Sequence, residues 1–393
     1  MAASVSHQPC AIVGIGQTEH KSRRWDVSLG GLVREAAQRA LDDAEMSWSD
    51  IDSVVVGKAP DLFEGIMKPE LYLSDALGAT GKPMFRVHTA GSVGGTTGIV
   101  GSHLVETGRH RRVLAVGFQK QSEGNAQFAL GSGRGASIGA GGAFAPFMRA
   151  YIHRTGAPLD IGPMVAVKDR LNALKNPYAH LKIADMSIEK VKASPMMWDP
   201  IRFLESCPSS DGACAVVLTD REGGDAAAKA GRPPAWILGS AVRSEPYAFP
   251  GRDPVRPQGA VDCAWDVYGQ AGITDPRHQI DCAEIYVPFS WYEPMWLEAH
   301  DIAAPAEGWK MVERGDTALD GSFPVNMSGG VLSSNPIGAS GLLRFAEAAL
   351  QVRGMAGEHQ VEGAKVALGQ AYGASAQYFS MWVVSNSLDP FGA

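Results

Sequence analysis

The sequence lacks any apolar run that approaches the ~20 consecutive residues required to span a membrane. Its first ten residues, MAASVSHQPC, contain neither the basic segment nor the apolar segment of a signal peptide. We therefore expect a cytoplasmic protein without a membrane span.

A strong excess of positive charge is also absent, since the formal net charge is −7 and both signs are scattered along the chain. Nucleic-acid binding normally needs a basic face, so the composition argues against this function. Two short basic clusters are present, KSRR at 21–24 and RHRR at 109–112. We interpret them as solvated surface, with a phosphate clamp for a ligand as the alternative.

Cysteine is scarce, and the five cysteines form no CxxC pair and no Cys/His spacing of the kind that binds zinc. A disulfide scaffold is not expected in a chain of 393 residues. We predict no metal site and interpret most of the cysteines as small core residues. The five are Cys10, Cys207, Cys214, Cys263 and Cys282.

The order of predicted elements occurs twice along the chain: strand, helix, strand, glycine-rich turn, helix, strand. This repetition predicts an α/β protein with an internal duplication, whose halves we place at 8–232 and 233–393. The predicted elements are CAIVGIG (10–16), the helix from Leu29 to Ala44, DSVVVG (52–57), the turn VHTAGSVGGTTG (87–98) with its helix, RVLAVG (112–117), DGACAVVLTD (211–220), AWILGSA (235–241), the helix 261–272, DCAEIYV (281–287), the turn SSNPIGASG (333–341), the helix 342–354 and KVALGQAYG (365–373).

Residues from about 119 to 200 interrupt the first half. We interpret them as an inserted loop domain that folds over a site. Within it, GSGRGASIGAGGAF (131–144) contains too much glycine for a regular element to be expected.

Three segments resemble motifs of the thiolase superfamily. Along the chain they are VLAVGFQKQ, DGACAVVL and GGVLSSNPIGASG, which is the family's order. The resemblance covers nearly the whole chain and is strongest to the branch of sterol-carrier-protein thiolases and lipid-transfer proteins. It implies a duplicated five-layer α-β-α-β-α fold and a homodimer packed through the first-half sheets. It also implies an acyl-CoA substrate and no further cofactor.

The residues that carry thiolase chemistry are replaced in this sequence. Alignment of the family's Ser-x-Gly on Ser92-Val93-Gly94 places Gly91 where the nucleophilic cysteine stands, at a helix N-terminus that favours a thiolate. The family's second cysteine corresponds to Ala371 and its histidine to Asn335. The Asn-Glu or His-Asp motif corresponds to Tyr286-Val287. A thiolase mechanism is therefore not expected.

This pattern resembles the steroid side-chain aldolases, thiolase-fold enzymes that cleave a β-hydroxyacyl-CoA to a ketone or aldehyde and a short acyl-CoA such as propionyl-CoA. A retro-aldol reaction needs a base for the β-hydroxyl and donors for the departing enolate, and it needs no acyl-enzyme. We predict that Tyr286 and Tyr372 share proton abstraction and return. Asn335 is predicted to donate to the thioester oxygen, and His88 is a weaker candidate for the relay. The residues predicted to contact the substrate are Gly91, Ser92, Gly94, Ser334 and Gly373.

Each candidate also has a structural interpretation. Strand tyrosines usually pack, Asn335 before Pro336 suits a turn, Ser92 suits a helix cap, and Tyr292 in SWYEP suits the scaffold. Two functional alternatives therefore stay open. One is an acyltransferase that uses Ser92 or no covalent intermediate, and the other is a lipid or acyl-CoA carrier without activity. A thiol in attacking position at the foot of the pocket would exclude the aldolase hypothesis.

The resemblance also implies a partner, because relatives of this type work with a small protein that contains an OB-fold and a zinc ribbon. This sequence has no CxxC knuckle. We therefore expect that module on a separate chain.

Overall fold

The computed structural model describes residues 8–59, 64–124, 139–247 and 250–392. This part of the chain contains eleven β-strands and thirteen α-helices. The strands are β1 (Cys10–Gln17), β2 (Ser53–Gly57), β3 (Met84–Val87), β4 (Arg112–Lys120), β5 (Met196–Trp198), β6 (Ile201–Arg202), β7 (Asp211–Asp220), β8 (Ala235–Ser244), β9 (Cys282–Glu284), β10 (Val366–Gly373) and β11 (Tyr378–Ser385). The helices are α1 (Leu29–Ala44), α2 (Pro69–Leu73), α3 (Val93–Glu106), α4 (Gly139–Thr155), α5 (Ile161–Asn172), α6 (Ile188–Ala193), α7 (Arg221–Lys229), α8 (Gln258–Ala271), α9 (Pro276–Gln279), α10 (Tyr292–Ala299), α11 (Gly308–Arg314), α12 (Gly330–Ser333) and α13 (Ile337–Arg353).

Nine strands form one sheet in the order β3-β2-β4-β7-β1-β8-β11-β10-β9. Its two halves join through β1 and β8, which pair only at Ala11–Trp236 and Ile12–Ala235. Each half repeats the same pattern of two antiparallel pairings followed by a parallel one, in β1-β7-β4-β2 and in β8-β11-β10-β9. The predicted internal duplication is therefore confirmed.

The helices complete a layered arrangement. α1 packs on β1 and β7, and α8 packs on β8 and β11. Between the two half-sheets, α3 and α13 pack against each other and against β4 and β10. The order of layers is helix, sheet, helix pair, sheet, helix, which is the predicted α-β-α-β-α fold.

The first outer layer shows how the sequence fixes this packing. α1 is preceded by Ser28, whose Oγ accepts a hydrogen bond from the N–H of Gly31 at 3.1 Å. The helix lies directly on β1, because a Cβ at Gly16 would be 2.1 Å from the carbonyl oxygen of Ala36. The glycine therefore permits a close contact between the two backbones.

The insertion between 119 and 200 is more regular than predicted. β4 continues to Lys120, and α4, α5, α6 and the β5–β6 hairpin follow in the described residues. Residues 139–144 of the glycine-rich segment begin α4, so the prediction of no regular element there is wrong, whereas 131–138 lie outside the described residues. Gly141 is used for close packing, since a Cβ there would lie 2.2 Å from the ring of Trp198.

One boundary and one strand in the second half also differ from the prediction. The strand expected over 281–287 ends at Glu284, so Tyr286 lies in the segment that follows β9. β11 was not predicted at all. No helix among the described ranges is long and apolar enough to cross a membrane.

Candidate active site

The glycine-rich turn between β3 and α3 places Gly91 against the second half of the chain. A Cβ at Gly91 would lie 3.1 Å from the carbonyl oxygen of Tyr372 and 3.9 Å from Oη of Tyr286. The preceding residue, Ala90, has a φ of 51°, in the left-handed region that bends the chain sharply. The position that aligns with the family's nucleophile therefore faces the two predicted tyrosines.

Ser92 and Gly94 serve the local structure of this turn. The Ser92 hydroxyl is fully buried and donates to the carbonyl oxygen of Thr89 at 2.7 Å. A Cβ at Gly94 would lie 2.5 Å from the amide nitrogen of Leu342, so this glycine permits the contact between α3 and α13. A nucleophilic role for Ser92 finds no support in this geometry, because its hydroxyl is directed back into the turn.

Tyr286 is held by three hydrogen bonds. Its backbone N–H donates to Oε1 of Gln370 at 3.0 Å, and its carbonyl oxygen accepts from Nε1 of Trp296 at 3.1 Å. The phenol donates to Oδ1 of Asn335 at 3.3 Å. Burial raises the pKa of Tyr286 well above its usual range, so the phenol is protonated at neutral pH.

Asn335 is the centre of this hydrogen-bond network. Its Oδ1 accepts a second hydrogen bond from the Ser340 hydroxyl at 2.8 Å, and its Nδ2 donates to Sγ of Cys207 at 3.2 Å. Its backbone N–H donates to Oγ of Ser210 at 3.1 Å. A side-chain amide carries two N–H donors, so one remains for a ligand. The predicted donor role of Asn335 is compatible with this arrangement.

Cys207 was missed by the sequence analysis, which gave it no place in the site. Its backbone N–H donates to the carbonyl oxygen of Pro288 at 2.9 Å, so its segment lies beside the one that contains Tyr286. It is also the one cysteine of the five, all of which are described, that is not fully buried. The interpretation of most of the cysteines as core residues is confirmed, since the other four are buried.

The thiol of Cys207 lies in the candidate site, beside the side chain of Asn335. The side-chain atom nearest to a Cβ at Gly91 is Oη of Tyr286 at 3.9 Å, so the thiol lies no closer than the phenol. Burial raises the pKa of Cys207 to about 11, an effect that the hydrogen bond from Asn335 opposes. The sulfur is therefore a protonated thiol at neutral pH, which is a poor nucleophile.

Tyr372 lies in a cluster of aromatic rings at the end of β10. Its ring meets that of Tyr286 edge to face, with centroids 5.5 Å apart, and it lies 5.0 Å from the rings of both Tyr292 and Trp296. Its hydroxyl is buried, and its one polar neighbour in the described part of the cluster is the hydroxyl of Tyr292. Burial raises the pKa of Tyr372 well above its usual range, so this phenol is also protonated at neutral pH.

The remaining predicted residues lie in different surroundings. A Cβ at Gly373 would be 2.4 Å from the amide nitrogen of Gly91, so the two glycines bring the halves into contact. The Oγ of Ser334 accepts a hydrogen bond from the backbone N–H of His180 at 2.9 Å. His88 is exposed, and within the described residues no hydrogen bond connects it to the tyrosines. Its relay role stays a prediction.

A buried arginine joins the two segments that carry Cys207 and Asn335. Arg170, on α5, donates to the carbonyl oxygen of Ser206 at 2.9 Å and also to that of Leu332. This residue was not predicted, because a single arginine in an inserted segment has no recognisable spacing. The inserted segment therefore contacts both segments that carry site residues.

Comparisons with known proteins identify the family of this chain. A family model described as "Thiolase C-terminal domain-like" matches residues 243–386. An acetyl-CoA acetyltransferase of Methanothermobacter thermautotrophicus is 32% identical over 368 residues, which cover 91% of this chain and 94% of that protein. The chain belongs to the thiolase superfamily. Human sterol carrier protein 2 is 27% identical, over 91% of this chain and 68% of that protein.

The fold of this superfamily member also matches a solved structure named "Ltp2-ChsH2(DUF35) aldolase". The TM-score is 0.83 with 25% sequence identity, over 97% of this chain and 99% of the matched chain. In this structure the phenols of Tyr286 and Tyr372, the side chain of Asn335 and the thiol of Cys207 lie together near Gly91. Its described residues contain no group of three or more His, Cys, Asp or Glu side chains that could hold a metal ion.

The protonated state of Cys207 leads to a testable prediction. Iodoacetamide is expected to label Cys207 more slowly than a free thiol, with a rate that rises about tenfold per pH unit from pH 7 to 9, because only the thiolate reacts. Peptide mass spectrometry measures the rate, and the fully buried Cys214 serves as the internal control. A plateau of the rate below pH 9 would instead indicate a stabilised thiolate at this position.

Proposed function

We propose that this chain is an aldolase that cleaves a β-hydroxyacyl-CoA with a steroid or other bulky lipid tail. The products are a ketone or aldehyde and a short acyl-CoA such as propionyl-CoA. The observation that carries the proposal is the Oη of Tyr286 at 3.9 Å from the Cβ position of Gly91, where the family's chemistry would place a thiol. The structural likeness to a protein named as an aldolase supports the same activity.

The two phenols suit a proton relay better than a single base. Because burial keeps both tyrosines protonated, neither supplies a resting tyrosinate. In the proposed reaction Tyr372 accepts the proton of the β-hydroxyl as its own proton passes to Tyr286, whose proton goes to the α-carbon. The two rings lie 5.5 Å apart, close enough for substrate atoms to complete the chain between the hydroxyls.

The bond changes balance without an oxidant or reductant. The Cα–Cβ bond breaks, and its electron pair moves to the thioester oxygen to form an enolate. The β-oxygen becomes the carbonyl of the ketone or aldehyde, and the α-carbon receives the relayed proton. The second N–H of Asn335 and the backbone N–H of Gly91 are the proposed donors to the enolate oxygen.

The test is incubation with a β-hydroxyacyl-CoA that carries a methyl group on Cα and two alkyl groups on Cβ. We expect free ketone and propionyl-CoA in equal amounts, measured by chromatography, and no product from the same acyl-CoA without the β-hydroxyl. Binding of both compounds without turnover would favour the carrier function and contradict the aldolase.

The proposal includes the assembly state and a partner. We propose a homodimer in the cytoplasm and a separate protein with an OB-fold and zinc ribbon, and the joint name of the matched aldolase structure supports a two-component assembly. The assay is therefore run with the chain alone and with the co-expressed partner, alongside gel filtration. Full activity of the homodimer alone would contradict the partner requirement.

Acyl transfer is the second candidate, and two observations favour it. The matched archaeal relative is named an acetyl-CoA acetyltransferase, and a partly accessible thiol, Cys207, contacts Asn335 in the site. An acylated Cys207 in the intact mass spectrum after incubation with acetyl-CoA would support this function against the aldolase.

A further inference from the structure

The hydroxyls of Tyr292 and Tyr372 form an unexplained pair in the aromatic cluster. Tyr292 is fully buried and Tyr372 is 2% exposed, and beyond the interaction of the two hydroxyls with each other neither has a hydrogen-bond partner among the described residues. Buried polar atoms are almost always paired, so two exceptions side by side point to a group that is bound there in the working protein. Phenylalanine at either position would pack equally well without this cost.

The surrounding rings prevent either phenol from turning to another partner. The Tyr292 ring stacks on Trp296 with centroids 4.8 Å apart and planes within 13° of parallel. Phe144 meets Tyr292 and Tyr372 edge to face, with centroids at 5.7 and 6.2 Å. The two phenol rings themselves lie 5.0 Å apart. The two rings are therefore held in place, and the positions of their hydroxyl oxygens are fixed before any ligand binds.

The two hydroxyls are also close enough to act on one group. Burial is the main cause of the raised pKa of both phenols, and their mutual interaction is the next, lowering the pKa of Tyr292 and raising that of Tyr372. Tyr372 in turn contacts Tyr286, which faces Gly91. The pair is thus continuous with the candidate site and was not predicted as a unit from the sequence.

We infer that the hydroxyls of Tyr292 and Tyr372 together bind the β-oxygen of the acyl-CoA, which makes Tyr292 a further catalytic residue. The inference rests on the proposed function, because it assigns the atom that loses its proton in the retro-aldol reaction. Two phenols can donate to a product carbonyl, and Tyr292 then orients the oxygen from which Tyr372 removes the proton. A ligand without a β-oxygen would leave both hydroxyls unpaired.

Calorimetric binding of acetoacetyl-CoA and butyryl-CoA tests this inference without any turnover. The two probes differ in the β-oxygen, and wild-type protein is expected to bind acetoacetyl-CoA about tenfold more tightly. Tyr292→Phe is expected to reduce this preference about threefold to tenfold, which corresponds to the loss of one hydrogen bond. Equal binding of the two probes by wild-type protein, or an unchanged preference in the variant, would overturn the inference.

Thermal unfolding provides the second measurement. Tyr292→Phe removes a hydroxyl whose one polar neighbour among the described residues is the Tyr372 hydroxyl, so its Tm is expected to stay close to that of wild-type protein. The matched control is Tyr268→Phe, because the buried Tyr268 hydroxyl donates to the carbonyl oxygen of His300 at 2.8 Å. This control is expected to lower the Tm and to keep the preference for acetoacetyl-CoA. A Tm loss in Tyr292→Phe as large as that of the control would contradict the unpaired state.

The outcomes separate this inference from the proposed function. A wild-type protein that prefers acetoacetyl-CoA but cleaves no β-hydroxyacyl-CoA would refute the aldolase and retain the oxygen site. A wild-type protein that cleaves the substrate while Tyr292→Phe keeps the full preference and full turnover would refute the role of Tyr292 alone.

Discussion

Replacement of Tyr286 or Tyr372 by phenylalanine is expected to lower turnover of the β-hydroxyacyl-CoA by about 100-fold to 10,000-fold, the usual contribution of positioned acid–base groups. Each substitution removes one hydroxyl from the proposed relay and keeps the ring in the aromatic cluster. The two hydroxyls act as one relay, so their effects should not multiply. The turnover of the double variant is expected to be no more than about tenfold below that of the less active single variant. The measurement is kcat from the release of propionyl-CoA.

The stabilities of Tyr286→Phe and Tyr372→Phe are expected to differ, and this difference tests the hydrogen bonding of the two hydroxyls. Tyr286→Phe loses the hydrogen bond to Asn335 at 3.3 Å and is expected to be about 1 kcal/mol less stable. Among the described residues, Tyr372→Phe loses only the interaction with the Tyr292 hydroxyl, and it should unfold close to the denaturant concentration of wild-type protein. Tyr268→Phe controls for the loss of a buried hydroxyl remote from the relay. Near-full turnover in both single variants would refute the assignment.

The fold was largely predictable because each half repeats the same alternation of apolar strands and glycine-rich turns. The insertion was not, since glycine content is a poor guide where packing decides the conformation. Gly141 lowers helix propensity, yet its missing Cβ makes room for the ring of Trp198, and this tertiary contact outweighs the local preference. The early end of β9 at Glu284 likewise depends on pairing, which the sequence pattern of DCAEIYV does not contain.

Only those residues of the candidate site that lie in family motifs could be predicted from the sequence. Tyr286 and Asn335 are far apart in the sequence, and only the alignment suggested that they meet. Cys207 contacts Asn335 although 128 positions separate the two residues, and no spacing rule connects them. His88 was the weaker candidate, at the mouth of the turn, and it lies exposed at the end of the edge strand β3. Contacts of this kind arise from topology, which local patterns do not specify.

The contact between Gly91 and Gly373 gives the second large effect. Gly373→Ala is expected to lower turnover by at least about 100-fold, because a displacement of about 1 Å at a reacting centre has this consequence. Its new Cβ would lie 2.4 Å from the amide nitrogen of Gly91 and 2.6 Å from that of Ser92, distances that force the backbones apart. The proposed enolate donor at Gly91 then moves away from Asn335. The measurement is kcat, together with near-ultraviolet circular dichroism of the aromatic cluster.

Two further alanine variants separate this effect from a general response to glycine replacement. Gly91→Ala places its Cβ at 3.1 Å from the nearest atom, a tight contact that small shifts relieve, so the variant should fold and lose turnover most with α-methyl substrates. Gly269→Ala, on the exposed side of α8 with no atom within 4 Å of its Cβ, should keep full turnover and gain up to about 1 kcal/mol in stability. If Gly373→Ala kept wild-type turnover, the contact between Gly91 and Gly373 would not be part of the reacting centre. The backbone N–H of Gly91 would then not be the enolate donor.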